Sequence, residues 1–159
     1  MSTEKEIVVV AIDLHKGSNR VMGRALSAAA ETGGVVHLVH VAETNIANVK
    51  PPEDMDAPEL TGNDLHKLQE FVENRLADFK KRRPDAAVPE VTIHTDTGDP
   101  ADKICGFAAE KDADIVILGT HNRTGIKRLL IGSVAEKVVR GAGCPVLVVR
   151  EKKHDAKQG

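Results

Sequence analysis

The chain has 159 residues with 41% hydrophobic and 29% charged residues, proportions that are typical of a globular protein and exclude overall disorder. A formal net charge of -2 and the absence of Trp and Tyr disfavour a nucleic-acid binder, which needs basic surfaces or aromatic rings for base stacking. The apolar run after the polar N-terminus is too short for a signal sequence or a membrane span, and the two cysteines have no CxxC spacing. We therefore expect a cytoplasmic protein without membrane insertion.

The first half of the chain predicts two strands, a helix between them and a long polar connection. Residues 7–12 form a β-branched run, which is typical of a strand buried on both faces. Apolar residues recur at helical spacing over 18–31, where a glycine pair ends the helix, and residues 35–41 predict a second strand. The segment 43–64 contains three prolines and is predicted to be a surface loop or lid.

The second half continues the alternation of helices and strands. A capping residue followed by proline predicts the start of the third helix. The predicted elements are a helix from 63 to about 82, a strand over 88–95, a helix from Asp99-Pro100 to about 110, a strand over 113–119, a helix from Ser133 and a strand over 144–150.

Strands that alternate with helices predict right-handed crossovers and a parallel sheet that is covered by helices on both faces. Ligands of such sheets bind beyond the carboxyl ends of the strands, where the strand order reverses. A strand order 3-2-1-4-5 would make Asp13 and Gly119 neighbours there, although the pattern alone also allows 2-1-3-4-5. We expect a single domain over residues 1–150 and a solvated tail over 151–159.

The run from Gly119 to Ser133 combines glycines with the cationic residues Arg123, Lys127 and Arg128. Glycine allows phosphate oxygens to approach the backbone, and a helix that begins at Ser133 would offer free N–H groups to an anion. Neither a Walker A loop nor the dinucleotide motif GxGxxG occurs. The run on its own fits either a phosphate site or a plain connection that ends in a capping serine.

The spacing G119-x2-N122-x9-G132-S133 resembles the ATP-binding signature of the universal stress protein family, G-x2-G-x9-G-[ST]. The resemblance covers nearly the whole chain, through VVVAID, HLVHVAE, TGDPADKICGFAAEKDADIVILGTH and LLIGSVAEKVVRGAGCPVLVV. It implies a Rossmann-like α/β fold of the adenine nucleotide alpha hydrolase type, with a five-stranded parallel sheet in the order 3-2-1-4-5 and helices on both faces. It also implies a role in the stress response and a ligand, ATP or AMP, with or without Mg²⁺.

The resemblance further implies which residues surround the nucleotide. Adenine and ribose would contact Ile12, Asp13 and Val41. The ribose and the path to the phosphates would be lined by Leu118, Gly119 and His121. The phosphates would be surrounded by Asn122, Gly132, Ser133 and Val134.

One position departs from the family pattern, because Asn122 stands where the nucleotide binders carry glycine. Asparagine tolerates the left-handed backbone conformation, but its side chain adds bulk beside the phosphates. This departure keeps open one alternative to a regulatory nucleotide-binding protein, and the enzyme class supplies a second. One is a stress protein that acts only through protein contacts, and the other is a slow ATPase, for which the sequence assigns no catalytic residue.

Three further features of the sequence lead to separate expectations. His37 and His40 lie three apart on one strand, hence on opposite faces, so each is interpreted as a local hydrogen-bonding residue and no metal site is expected. The basic residues 80–83 suit the end of a helix. The apolar residues Val146 to Val149 form an edge strand that invites pairing, and the resemblance implies a homodimer through this strand.

Overall fold

Strands and helices alternate throughout this computed structural model, which describes residues 4–15, 17–43, 62–120 and 131–150. In chain order the elements are β1 (Ile7–Ala11), α1 (Ser18–Thr32), β2 (Val35–Glu43), α2 (Gly62–Arg82), β3 (Glu90–Gly98), α3 (Pro100–Glu110), β4 (Ile115–Gly119), α4 (Ser133–Gly141) and β5 (Val146–Val149). The strands form one parallel sheet in the order β3-β2-β1-β4-β5. The predicted fold and the order 3-2-1-4-5 are confirmed, and the order 2-1-3-4-5 is excluded.

The two faces of the sheet carry separate apolar layers. On one face, Val8, Val10 and Leu38 pack against α1 and α2, and on the other Val9 and Val39 pack against α3 and α4. These five side chains are at most 3% exposed, so the central strands read as continuous apolar runs rather than alternating ones. Complete burial of each such side chain contributes on the order of 1.5–3 kcal/mol.

Local signals set the helix ends where the sequence predicts them. Helix α1 ends at Gly33, which has a left-handed backbone with φ of 67°, and the N–H groups of Gly33 and Gly34 both donate to the Ala29 carbonyl. Helix α3 begins after Asp99, whose carboxylate accepts from the Asp102 N–H at 3.0 Å, with Pro100 at the first helical position. The predicted end of α1 and the predicted start of α3 are thus confirmed.

Strands β2 and β3 are longer than their apolar patterns indicate. They pair in register from Val35 opposite Glu90 to Glu43 opposite Gly98, whereas the sequence predicts 35–41 and 88–95. The last pairs involve polar residues, and main-chain hydrogen bonds form whatever side chains the strand carries.

Most of the predicted loop, residues 44–61, lies outside the described residues, and so does the tail 151–159. None of the described helices combines the length and hydropathy that a membrane span requires.

Candidate functional site

The sheet reverses its winding direction between two neighbouring strands, β1 and β4. The chain continues from β1 into α1 on one face and from β4 towards α4 on the other. A crevice opens beyond the carboxyl ends of such strands, and ligands of open α/β sheets bind there. Because Val10 pairs with Ile117, the residues Asp13 and Gly119 follow this pair closely at the same edge. Their predicted proximity at the sheet edge agrees with this register.

Asp13 is held at the mouth of this crevice by the turn that follows β1. The His15 N–H and the Ser18 hydroxyl donate to its Oδ1 atom at 3.0 and 3.2 Å. The turn needs left-handed backbone at Leu14 (φ 63°) and Gly17 (φ 93°), which folds the chain back onto the carboxylate. Both of these hydrogen bonds reach Oδ1, and among the described residues no donor is recorded at Oδ2, which can accept from a ligand.

The end of β1 is joined to β2 by a histidine that the sequence analysis did not place in the site. The Ile12 N–H donates to the Val39 carbonyl at 3.0 Å, and the Ile12 carbonyl lies 2.8 Å from His40 Nδ1. A carbonyl can only accept, so Nδ1 carries the proton and donates, which leaves Nε2 as an acceptor in the neutral ring. His40 is therefore the local hydrogen-bonding residue that was predicted, and it fixes the main chain next to Asp13.

Two of the predicted apolar contacts, Ile12 and Leu118, are buried in the protein core. The side chain of Ile12 is 3% exposed and lies in the layer under α1 and α2, whereas Leu118, also 3% exposed, lies in the layer under α3 and α4. Val41 is half-buried against the second layer. At Ile12 and Leu118 it is the main chain that a ligand at the edge can contact.

Gly119 has a packing role in addition to any role in binding. A Cβ atom at this position would lie 3.1 Å from Cγ2 of Val21 on α1, which is tighter than ordinary contact. The strand direction continues past Gly119, because the Thr120 N–H donates to the Val149 carbonyl at 3.2 Å. Helix α1 can therefore pack closely on β4 only with a small residue here.

Helix α4 begins at a glycine and not at a capping side chain. Gly132 is its N-cap and is buried, and among the described residues no side chain makes a capping hydrogen bond there. Ser133 is the first helical residue and exposed, so the alternative that it caps the helix is wrong. The first helical bond runs from the Glu136 N–H to the Gly132 carbonyl at 2.9 Å, which leaves the N–H groups of residues 133–135 without helical partners. Helix α1 also lacks a side-chain cap, whereas α3 has one.

Two of the predicted site residues, His121 and Asn122, lie in the segment 121–130 outside the described residues, so their roles stay predictions. Val134 is half-buried against the layer under α3 and α4. Within the described ranges, no group of three or more His, Cys, Asp or Glu side chains could hold a metal ion. The described part of the site thus offers main-chain donors, the carboxylate of Asp13 and the hydroxyl of Ser133.

Comparison with known proteins gives a consistent result. The chain matches the sequence model of the Universal stress protein family over residues 5–150. Universal stress protein MJ0531 of Methanocaldococcus jannaschii is 35% identical over 126 residues, which are 75% of this chain and 74% of that protein. Universal stress protein UspA from Lactobacillus plantarum has a TM-score of 0.73 at 20% identity, over 92% of this chain and 99% of that one. The universal stress protein from Archaeoglobus fulgidus in complex with dAMP has a TM-score of 0.60 at 23% identity, over 92% and 98%.

Proposed function

We propose that this chain, which belongs to the universal stress protein family, is a regulatory module that binds an adenine nucleotide, ATP or AMP. The observation that carries the proposal is the start of α4, where buried Gly132 precedes three N–H groups without helical partners. Such a terminus attracts anions through its free donors and the helix dipole. The structure of the similar Archaeoglobus protein with dAMP adds support for an adenine nucleotide as the ligand.

In this proposal each group at the sheet edge has a distinct task. The Oδ2 atom of Asp13 accepts from a ribose hydroxyl, since Oδ1 already accepts two hydrogen bonds within the protein. Adenine lies against the main chain of Ile12 and against Val41, and the sugar lies near Leu118, Gly119 and His121. The helix terminus at Gly132, Ser133 and Val134, together with Asn122, surrounds the phosphates. Any Mg²⁺ would enter with the phosphates, which supply part of its oxygen ligands.

The decisive experiment adds a side chain at the start of α4. In Gly132→Val, the new methyl groups occupy the space that a phosphate oxygen needs, so we expect the affinity for AMP and ATP to fall at least about tenfold, or about 1.4 kcal/mol. Isothermal titration calorimetry measures this, with circular dichroism to verify the fold. The matched control is Gly143→Val, because a Cβ at Gly143 meets no atom within 4 Å. Equal affinities of the two variants would contradict the proposal.

The departure at position 122 is tested by Asn122→Gly, which restores the glycine of the family signature. We expect the affinity for ATP to stay the same or to rise, because glycine can adopt any backbone conformation that asparagine adopts and the side-chain bulk is removed. A large loss would instead show that the amide is a required contact. Failure of the wild type and of this variant to bind AMP or ATP would favour the alternative that the protein acts only through protein contacts.

We further propose that the protein forms a homodimer through β5 and works in the cytoplasm. Strand β5 lies at the edge of the sheet and pairs only with β4 within the described part of the chain. Its residue Leu147 is 41% exposed, and Val139 on the adjacent helix α4 is 47% exposed. Antiparallel pairing of two β5 strands would give the main-chain groups of the edge hydrogen-bond partners and cover these side chains.

A location in the cytoplasm is supported by Cys105 and Cys144, which are both free thiols.

A further inference from the structure

A cleft of about 390 Å³ lies between α1 and α2, apart from the candidate nucleotide site. Its lining contains five arginines and one acidic residue, which give it a formal charge of +4. These charged residues are Arg20 and Arg24 on α1, Arg75, Asp78 and Arg82 on α2, and Arg83 just after it. The buried side chains of Leu26 and Phe79 also line the cleft and belong to the apolar layer beneath it. We call this feature the arginine cleft.

The single carboxylate of the arginine cleft does not neutralise its cations. Asp78 Oδ2 lies 3.2 Å from Arg82 Nε and 4.0 Å from Arg75 Nη1. Among the described residues, no carboxylate lies within 4 Å of the other three arginines. The Nε atom of Arg75 is buried and has no hydrogen-bond partner within the described structure. A buried donor without an acceptor is costly, and a bound anion would supply that acceptor.

Helix stability does not account for all of these charges. Arg82 and Arg83 stand at the C-terminal end of α2, where cations complement the helix dipole. Arg20 and Arg24 have the opposite placement, because they lie in the N-terminal half of α1 and the first turn of this helix has no acidic residue. They are also four residues apart, a spacing at which like charges repel. Their position is explained if a ligand brings negative charge to the cleft.

The type of cation indicates the type of anion. All five cations that line the cleft are arginine, whereas Lys80 and Lys81 on the same helix lie outside the lining. The planar guanidinium donates two parallel hydrogen bonds to a phosphate or carboxylate, and lysine acts only as a point charge. Several guanidinium groups around one cleft suit a compact ligand with several anionic oxygens. The cleft volume also falls within the range of small-molecule sites.

We propose that the arginine cleft binds a small molecule that carries two or more phosphoryl groups. Arg75 and the two α1 arginines contact the phosphoryl oxygens from opposite sides, and Arg82 keeps its ion pair with Asp78. None of the described residues of the candidate nucleotide site lines this cleft. The inference therefore does not rest on the proposed nucleotide site, and the two can succeed or fail separately.

The test uses the full chain and inorganic tripolyphosphate as the probe, measured by calorimetry at fixed ionic strength. The double variant Arg20→Gln/Arg24→Gln should bind at least tenfold more weakly than the wild type. The matched control Lys80→Gln/Lys81→Gln removes the same charge from α2 outside the cleft and should stay within about twofold, since only general screening changes. Equal losses in both double variants, or no binding by the wild type, would overturn the proposal.

Two more variants distinguish binding in the arginine cleft from binding elsewhere on the protein. Arg75→Lys keeps the charge but removes Nε and the planar fork, so binding of tripolyphosphate should weaken at least about threefold. In the Gly132→Val background, where the proposed phosphate site at α4 is blocked, tripolyphosphate should still bind, and adding Arg20→Gln/Arg24→Gln should still weaken that binding at least tenfold. Loss of all binding in Gly132→Val alone would place the probe at α4 and overturn the proposal. A short single-stranded oligonucleotide provides the last comparison. If it binds more tightly than tripolyphosphate and depends on the same arginines, the cleft is a nucleic-acid surface and the proposal is wrong.

Discussion

At the residue scale, His37 and His94 form a hydrogen-bonded pair across β2 and β3. The Nδ1 atom of His37 lies 2.9 Å from the Nε2 atom of His94. The ring centroid of Phe107 on α3 lies 4.6 Å from that of His94. Burial is the main cause that lowers the pKa of both histidines. The positive charge of Lys111, just after α3, lowers both pKa values further, and His37 also lowers the pKa of His94. The carboxylates of Glu90 and Glu110 partly offset this by raising the pKa of His37 and of His94, respectively. His37 is thus a hydrogen-bonding residue, as predicted, with a partner far away in sequence.

The lowered pKa values predict an acid-sensitive stability. In the folded state both histidines titrate below their ordinary pKa of 6.5, so they remain neutral where the unfolded chain already takes up protons. The free energy of unfolding should therefore fall as the pH drops through about 6.5 towards the lowered values. Urea unfolding between about pH 7.5 and 5 measures this slope. His94→Gln should flatten it, whereas the exposed His66→Gln on α2 should leave it unchanged; equal slopes in both variants would contradict the prediction.

At the element scale, the N-termini of α3 and α4 differ in a way that matches their expected roles. Asp99 caps α3 through its hydrogen bond from the Asp102 N–H, whereas none of the described side chains caps α4. A helix that only supports the fold is stabilised by a side-chain cap, since its first N–H groups otherwise lack hydrogen-bond partners. A helix whose N-terminus binds an anionic ligand instead needs N–H groups that are free to donate to that ligand. The contrast favours α4 over α3 as the phosphate-binding helix.

The capping role of Asp99 predicts the effect of its replacement. Asp99→Ala removes the acceptor for the Asp102 N–H and should lower the free energy of unfolding by about 1 kcal/mol in urea. Asp99→Asn should retain most of the stability, because asparagine is an equally good cap. The ion pair between Asp99 and Lys137 spans 4.0 Å between partly exposed groups and should contribute little. If Asn proves as damaging as Ala, the ion pair and not the cap is responsible.

At the scale of the whole molecule, the sheet has two unlike edges. Strand β3 pairs with β2 along nine residues, and β5 has only four residues, which pair with β4. The short edge carries exposed Leu147 between the half-buried Val146 and Val148. An apolar edge with free main-chain groups invites pairing with another chain. The geometry of the fold therefore favours assembly on the β5 side.

The proposed dimer predicts a change in mass. The wild type should have the mass of a dimer in light scattering, and Leu147→Lys should shift it to the monomer, because a charge at the centre of the interface cannot be desolvated without cost. Leu65→Lys is the matched control, since Leu65 on α2 is 42% exposed, against 41% for Leu147, and lies on another surface. This variant should remain a dimer. A monomer mass for the wild type at all concentrations would refute the proposed interface.

The sequence determined those parts of the protein that depend on local pattern. A continuous β-branched run marked β1, and helical spacing with a terminal glycine marked α1, because buried residues recur with different periods on strands and on helices. Asp99-Pro100 marked the start of α3, because a cap needs only neighbouring residues. The glycine spacing around Gly119 and Gly132 marked the candidate site through its resemblance to a family.

The tertiary structure decided what depends on contacts between distant segments. It selected the strand order that brings β1 beside β4, a choice that the alternation of elements leaves open. It paired His37 with His94 and joined His40 to the Ile12 carbonyl, contacts that no local period encodes. It also gathered the arginines of α1 and α2 around one cleft, although they belong to helices that a whole strand and a long connection separate in the chain. Such contacts form only when the sheet aligns its strands and packs the helices on its faces, so they follow from the fold as a whole.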